Sequence, residues 1–158
     1  MRLMGIIVVS AVLAGCAAED GRQVQRVQEP VCHSPTEQEV AALFERWNQS
    51  LLSGDPALVV ANYAEDAILL PTVSNQPRLT QAERQDYFEH FLADRPSGRI
   101  DLRRIETGCN SAVDAGLYTF TFARTGASVS GRYSYSYRWD GEQWLITSHH
   151  SSKMPENH

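Results

Sequence analysis

Three tyrosines and a tryptophan occur at every second position in one stretch. Tyr133, Tyr135, Tyr137 and Trp139 alternate with Arg132, Ser134, Ser136 and Arg138. In a strand, successive side chains point to opposite faces, so the four rings share one face and the polar residues the other. Two uses fit such a ring face. Its hydroxyls could orient a ligand in an amphipathic pocket, or the rings could pack in a core or between subunits. His149 and His150 are neighbours on the next strand-like run and point to opposite faces, so they do not readily chelate one metal together. No other His, Cys or carboxylate stands at ligand spacing around them, and the sequence assigns no metal and no cofactor. One of the two should face the pocket mouth. Histidine titrates near neutrality, so it could move a proton there; the alternative is a hydrogen-bonded structural histidine. The candidate pocket set is Trp47, Tyr63, Tyr118, Tyr135, Tyr137 and His149. For Trp47 and Tyr63, expected on helices that face the sheet, core packing is the competing explanation. An acid–base enzyme would need a carboxylate as well, and Asp66 and Asp101 are the candidates. Asp66 also fits a helix-end role, so the catalytic alternative is His149, Tyr135 and Asp101. No nucleophile elbow and no triad spacing appears.

The three cysteines divide into one and two. Arg2 precedes an apolar run, Leu3 to Ala14, of about 12 residues, or roughly 18 Å of helix, against the roughly 30 Å of a bilayer core. It reads as a signal-peptide core and not as a spanning helix. It ends in Val12-Leu13-Ala14-Gly15-Cys16, which resembles the bacterial lipobox, with Cys16 as the lipidated residue. The alternative is an ordinary secretory signal with a stray cysteine. Each buried lipid methylene contributes about 0.8 kcal/mol, so two or three acyl chains anchor a protein stably. Ala17 follows the cysteine where an aspartate would signal inner-membrane retention. The resemblance therefore implies the bacterial cell envelope, on the periplasmic side of the outer membrane. Residues 16–35 carry Gln23, Gln25, Gln28, Pro30 and Pro35 without apolar periodicity, and read as a tether. Export would place Cys32 and Cys109 in an oxidising compartment, where pairing is the default. A bridge would close a loop near 77 residues, stabilising by roughly 4 kcal/mol in the chain-entropy model, and would pin the tether's end to the sheet. Two free thiols are the alternative.

The elements that must position these groups follow from periodicity. Thr36-Glu37-Gln38-Glu39 is a capping box ahead of Val40, Leu43, Phe44, Trp47 and Leu51 at helical spacing. Gly54 stops that helix, and Asp55-Pro56 starts another that runs to about Ala64. Ala67 to Pro71 reads as a short strand. Thr80-Gln81-Ala82-Glu83 repeats the capping box before a helix bearing Tyr87, Phe88, Phe91 and Leu92. From Ile100 the period is two: Ile100, Leu102 and Arg104 alternate with Asp101, Arg103 and Ile105. Turns at Asn110-Ser111, Thr125-Gly126 and Asp140-Gly141 separate Leu117–Ala123, Gly131–Trp139 and Trp144–Ser151. Helices followed by a four-strand antiparallel meander define an α+β domain with the helices on one sheet face. Hydrophobic content of 42%, charged content of 21% and a net charge of −5 are ordinary for a globular chain. They give no reason to expect binding to nucleic acid or to an anionic lipid surface.

This order resembles the nuclear transport factor 2-like (SnoaL-like, cystatin-like) superfamily. The resemblance rests on Leu52-Ser53-Gly54-Asp55, Tyr63-Ala64-Glu65-Asp66-Ala67, and Asp140-Gly141 before Trp144. Within it, Tyr87-Phe88-Glu89, Asp114-Ala115 and the ending His149-His150-Ser151-Ser152-Lys153-Met154-Pro155 are similar to the association (hub) domain of calcium/calmodulin-dependent protein kinase II and its bacterial relatives. The resemblance covers residues 36–155, after a signal peptide (1–15) and a tether (16–35), and leaves a short tail (156–158). It implies a cone-shaped curved sheet wrapped on the first helix, a pocket at the open end, and self-association into a homodimer or larger ring. It implies neither kinase activity nor calmodulin binding, and 158 residues leave no room for a kinase domain. The kinase hubs line their pocket with inward arginines. At the matching places here stand Phe122 and Tyr137, while Arg132 should point the other way. The expected protein is thus a non-catalytic, oligomerising envelope lipoprotein domain that can hold a small molecule. The alternative is a small enzyme of the polyketide-cyclase or ketosteroid-isomerase type. Replacing Cys16 by Ala should abolish lipid attachment, read as loss of the acylated mass and release of the protein from the membrane fraction.

Overall fold

The computed structural model describes residues 31–155. Cys16, the apolar run before it and the greater part of the tether lie outside the described residues. Helix α1 (Glu37–Leu52) begins at the expected capping box: Thr36 Oγ1 accepts from Glu39 N at 3.2 Å and Glu39 Oε2 accepts from Thr36 N at 2.7 Å. The buried stripe of α1 is Val40, Leu43, Phe44, Trp47, Asn48 and Leu51. Helix α2 (Pro56–Val60) is a single turn, opened by Asp55 accepting from Ala57 N. Helix α3 (Gln81–Leu92) repeats the capping box with Thr80 and Glu83.

Five strands form one sheet in the order β1-β5-β4-β3-β2. They are β1 (Tyr63–Leu70), β2 (Pro96–Gly108), β3 (Ser111–Phe122), β4 (Ala127–Trp139) and β5 (Trp144–Lys153). Strands β2 to β5 are the expected antiparallel meander, and the sheet curves over the helices. The fold is the expected α+β arrangement, and the short strand expected at Ala67–Pro71 is β1, which starts earlier, at Tyr63. The expected second helix ends early, and Tyr63 and Ala64 belong to β1, which pairs in parallel with β5. The cause is local. The Asn62 side-chain amide donates to the carbonyls of Leu58 and Val59, at 3.0 and 3.1 Å, and the Asn62 backbone carbonyl accepts from Ile146 N on β5. The last turn of α2 is thus capped, and the chain is handed to the sheet edge. The β1 register slips between Tyr63 and Ile68. Buried Arg84 answers that irregularity by donating to the carbonyls of Ala64, Glu65 and Ala67.

A second departure lies in β2. Its pairing with β3 shifts between Ile100 and Leu102, so Asp101 is the extra residue of a bulge. A one-residue bulge inverts the alternation beyond it. Ile100 therefore faces inward with Arg103 and Ile105, while Leu102 is exposed. The uniform alternation expected from Ile100 to Ile105 is corrected accordingly.

Cys32 and Cys109 are joined, with Cα atoms 5.1 Å apart. The segment just before α1 is docked on the β2–β3 turn. His33 N donates to Asn110 Oδ1 at 2.8 Å, Asn110 N donates to His33 O, and the His33 ring stacks on Trp139 at 4.1 Å. The end of the tether is thus pinned to the sheet, as expected of the bridge, and residues 31–155 belong to one compact unit. The bulge also sets a tight spot: a Cβ on Gly116 would stand 1.9 Å from the Leu102 carbonyl oxygen. Gly116→Ala should cost about 3 kcal/mol or more, because backbone and not a movable side chain must yield. Urea unfolding checks this.

Candidate functional site

The concave face of the sheet is aromatic. Tyr118 and Phe120 of β3 and Tyr133, Tyr135 and Tyr137 of β4 are all buried beneath α1 and α3. Trp47 stands among Phe44, Phe88, Phe120, Tyr135 and His149, with ring centroids 5.4 to 6.3 Å away. The rings do not close completely. Between α3, the loop after β1 and strands β3 and β5 lies a cavity of about 480 Å³. Its walls include Trp47, Phe88, Phe91, Tyr118, Phe120 and Phe122. Its polar groups come from His149 and Ser151, two residues apart on one face of β5, from Thr72 and Tyr118, and from Tyr87, His90, Asp94 and Lys153. The Ser151 hydroxyl is hydrogen-bonded to those of Thr72 and Tyr118. Asp94, the carboxylate on the lining, is held by Arg124, whose Nε donates to Oδ1 at 2.6 Å.

His149 is 5% exposed, whereas His150 faces solvent, as alternation requires. A buried chain leads to its ring: Trp47 Nε1 donates to Tyr63 Oη at 3.1 Å, and Tyr63 Oη lies 2.8 Å from His149 Nδ1. Nε2 is buried without a partner. Burial, with a smaller contribution from His150, pushes the His149 pKa down to about 3. The imidazole is therefore neutral at any physiological pH. Burial also pushes the Tyr63, Tyr118 and Tyr135 hydroxyls up. The site offers neutral donors and acceptors in an apolar setting.

Of the six residues expected to form a pocket, Trp47, Tyr118 and His149 line the cavity. Tyr63 sits on a strand behind His149 and orients it. Tyr135 is wholly buried against the His149 ring, with centroids 4.2 Å apart. Tyr137 is buried elsewhere, within electrostatic reach of Asp114, Arg103 and Arg46. The set His149, Tyr135 and Asp101 is not assembled. Asp101 is the bulge residue, exposed on the convex side, paired with Arg99 and accepting from Thr119 Oγ1 at 2.6 Å. Asp66 is also exposed and pairs with Arg138 at 2.9 Å.

Sequence reading missed Asp114, a fully buried carboxylate. It accepts from Tyr133 Oη at 2.8 Å and pairs with Arg103 at 3.1 Å. Burial raises its pKa, opposed by those two partners. Its signal was present: Ala112, Asp114 and Tyr118 keep one phase along β3. Also missed as lining were Phe88, Phe91 and Phe120. The α3 stripe read only as a packing face, because no sequence pattern tells a filled face from one that borders a void.

The curved sheet enclosing helices defines a cystatin-like, nuclear transport factor 2-like domain. Residues 36–155 match the calcium/calmodulin dependent protein kinase II association domain, and the chain belongs to that family. Among solved structures it is similar to a calcium/calmodulin dependent protein kinase II association domain protein from Xanthomonas campestris. The two are 45% identical, with a TM-score of 0.75, over 78% of this chain and 91% of that one. That chain is thus almost wholly this domain. A nuclear transport factor 2-like protein from Pseudomonas putida matches at 19% identity and TM-score 0.65, over 73% of this chain and 84% of that one. An iota-carbonic anhydrase from a cyanobacterium matches at 19% identity and TM-score 0.69, over 83% and 100%. At that identity these last two show a shared fold. Comparison with curated proteins gives no match.

The buried His149 predicts a pH dependence. Its pKa is depressed in the fold and near 6.5 when unfolded. Below pH 6.5 the unfolded chain takes up a proton that the folded chain refuses. This contribution to stability is complete above pH 6.5 and falls by about 1.4 kcal/mol per pH unit down to pH 3. His149→Gln should flatten that part of the stability profile, measured by urea unfolding from pH 4 to pH 8. An identical slope in the variant would place the titration elsewhere.

Proposed function

We propose that this chain is a non-catalytic association domain that pairs with copies of itself, holds a small apolar molecule in its cavity and is carried on a lipid-anchored envelope protein. The reading is carried by the contrast between the two faces of one sheet. The concave face is aromatic and borders the cavity. The convex face presents Leu102, Val113, Ala115 and Leu117 beside Ser134 and Ser136, and Leu102 and Val113 are 57% and 37% exposed. Of the β4 arginines, Arg138 sits at the end of the strand and Arg132 beside Leu117. Small and apolar side chains along β3, flanked by Arg104 and Glu106 of β2 and Arg132 of β4, give the apolar strip with a charged border that suits burial against a second sheet. A two-fold pairing of identical faces is the simplest closed assembly. The neutral histidine without a carboxylate partner supports a binding role over acid–base catalysis. Anchorage through Cys16, on the periplasmic side of the outer membrane, is supported by the lipobox-like run.

The test is the mass of the domain, residues 31–158, in solution by light scattering. At micromolar concentration it should be a dimer or larger, and Ala115→Arg should reduce it to one subunit with the fold intact by circular dichroism. A strict monomer before substitution overturns the association reading.

A further inference from the structure

We infer that the cavity takes an uncharged, ring-bearing molecule whose hydrogen-bond acceptor, a carbonyl or ether oxygen, receives the Nε2–H of His149. This rests on the reading of the cavity as a ligand site and specifies the ligand's chemistry. The tautomer follows from counting donors. Trp47 Nε1 can only donate, so the Tyr63 oxygen accepts from it. The Tyr63 proton then needs an acceptor, and His149 Nδ1 stands 2.8 Å away. With Nδ1 accepting, the ring's proton is on Nε2. That atom is buried and unpaired, on a residue of the cavity wall. A buried donor left unmade is costly, and a ligand acceptor would satisfy it.

The rest of the lining sets the remaining requirements. The hydroxyls of Thr72, Ser151 and Tyr118 are bonded to one another and so are less available. Phe91 meets Phe120 and Phe122 edge to face, at 5.7 and 6.0 Å, a geometry that suits a further ring. A carboxylate at His149 would lose its water to an uncharged donor. The lining's lysine, Lys153, is exposed to solvent, and Arg124 is committed to Asp94. At about 480 Å³ the space is within the range of small-molecule sites.

Three probes of similar shape separate the possibilities: acetophenone, ethylbenzene and benzoate. They are titrated against residues 31–158 and followed by two-dimensional amide NMR. Acetophenone should bind at least about fivefold more tightly than ethylbenzene, the size of one neutral hydrogen bond, and benzoate should be weaker than acetophenone. His149→Phe should abolish the preference for the ketone over the hydrocarbon. His149→Gln, which still offers an N–H, should keep it. Nitrogen-15 shifts of His149 in the free protein give a readout independent of binding and should show the Nε2–H form. Equal or tighter binding of ethylbenzene or benzoate, or an Nδ1–H form, leaves the cavity a binding site and overturns the inference. Failure of all three probes to bind at millimolar concentration removes the ligand-site reading, and the inference with it.

Discussion

Trp47 is where the sheet is held to the helices. Its ring, 1% exposed, meets Phe88 of α3, Phe120 of β3, Tyr135 of β4 and His149 of β5, and its indole N–H reaches Tyr63 of β1. One side chain on α1 therefore contacts another helix and four of the five strands. A flat sheet could not bring β1, β3, β4 and β5 around a single ring, so the curvature and the helix position require one another. The cavity follows from the same arrangement. Trp47 fills the middle of the concave face, and the space left between α3 and the ends of β3 and β5 has no residue large enough to close it.

Several polar groups inside this aromatic core take partners distant in sequence, whereas the Tyr135 and Tyr137 hydroxyls and His149 Nε2 have none. Arg84 of α3 completes the hydrogen bonding of carbonyls that the β1 irregularity leaves unpaired. Asp114 is held by Tyr133 and Arg103 across three adjacent strands. Removing one partner from such a set leaves a buried group uncompensated, which costs more than the bond was worth. His149 differs. Nδ1 is provided for and Nε2 is not, and unlike Tyr135 and Tyr137 this residue lies on the cavity wall.

The same fold is that of a carbonic anhydrase 19% identical to this chain. A cone with an open end accepts different chemistries according to the few side chains at its base. Here those are a neutral histidine, a serine and a tyrosine among phenyl rings. The carboxylates that could act with them are held by arginines at the rim or on the convex face, or are buried at Asp114.

Local chemistry was legible in the sequence. The two capping boxes, the Asp55-Pro56 helix start, the meander from β2 to β5 and the shared face of Tyr133, Tyr135 and Tyr137 depend on residues within a few positions of one another. The sequence alone also carries the lipobox-like run at Cys16. Only the tertiary structure decided that Tyr63 leaves the helix for a strand, since that turns on Asn62 meeting β5. It decided that the β2 bulge sends Leu102 outward and Arg103 inward, since a bulge is a property of two strands and not of one. It also decided which rings border the void. Alternation assigns a face, but whether a buried ring touches a neighbour or an opening depends on packing across elements far apart in the chain.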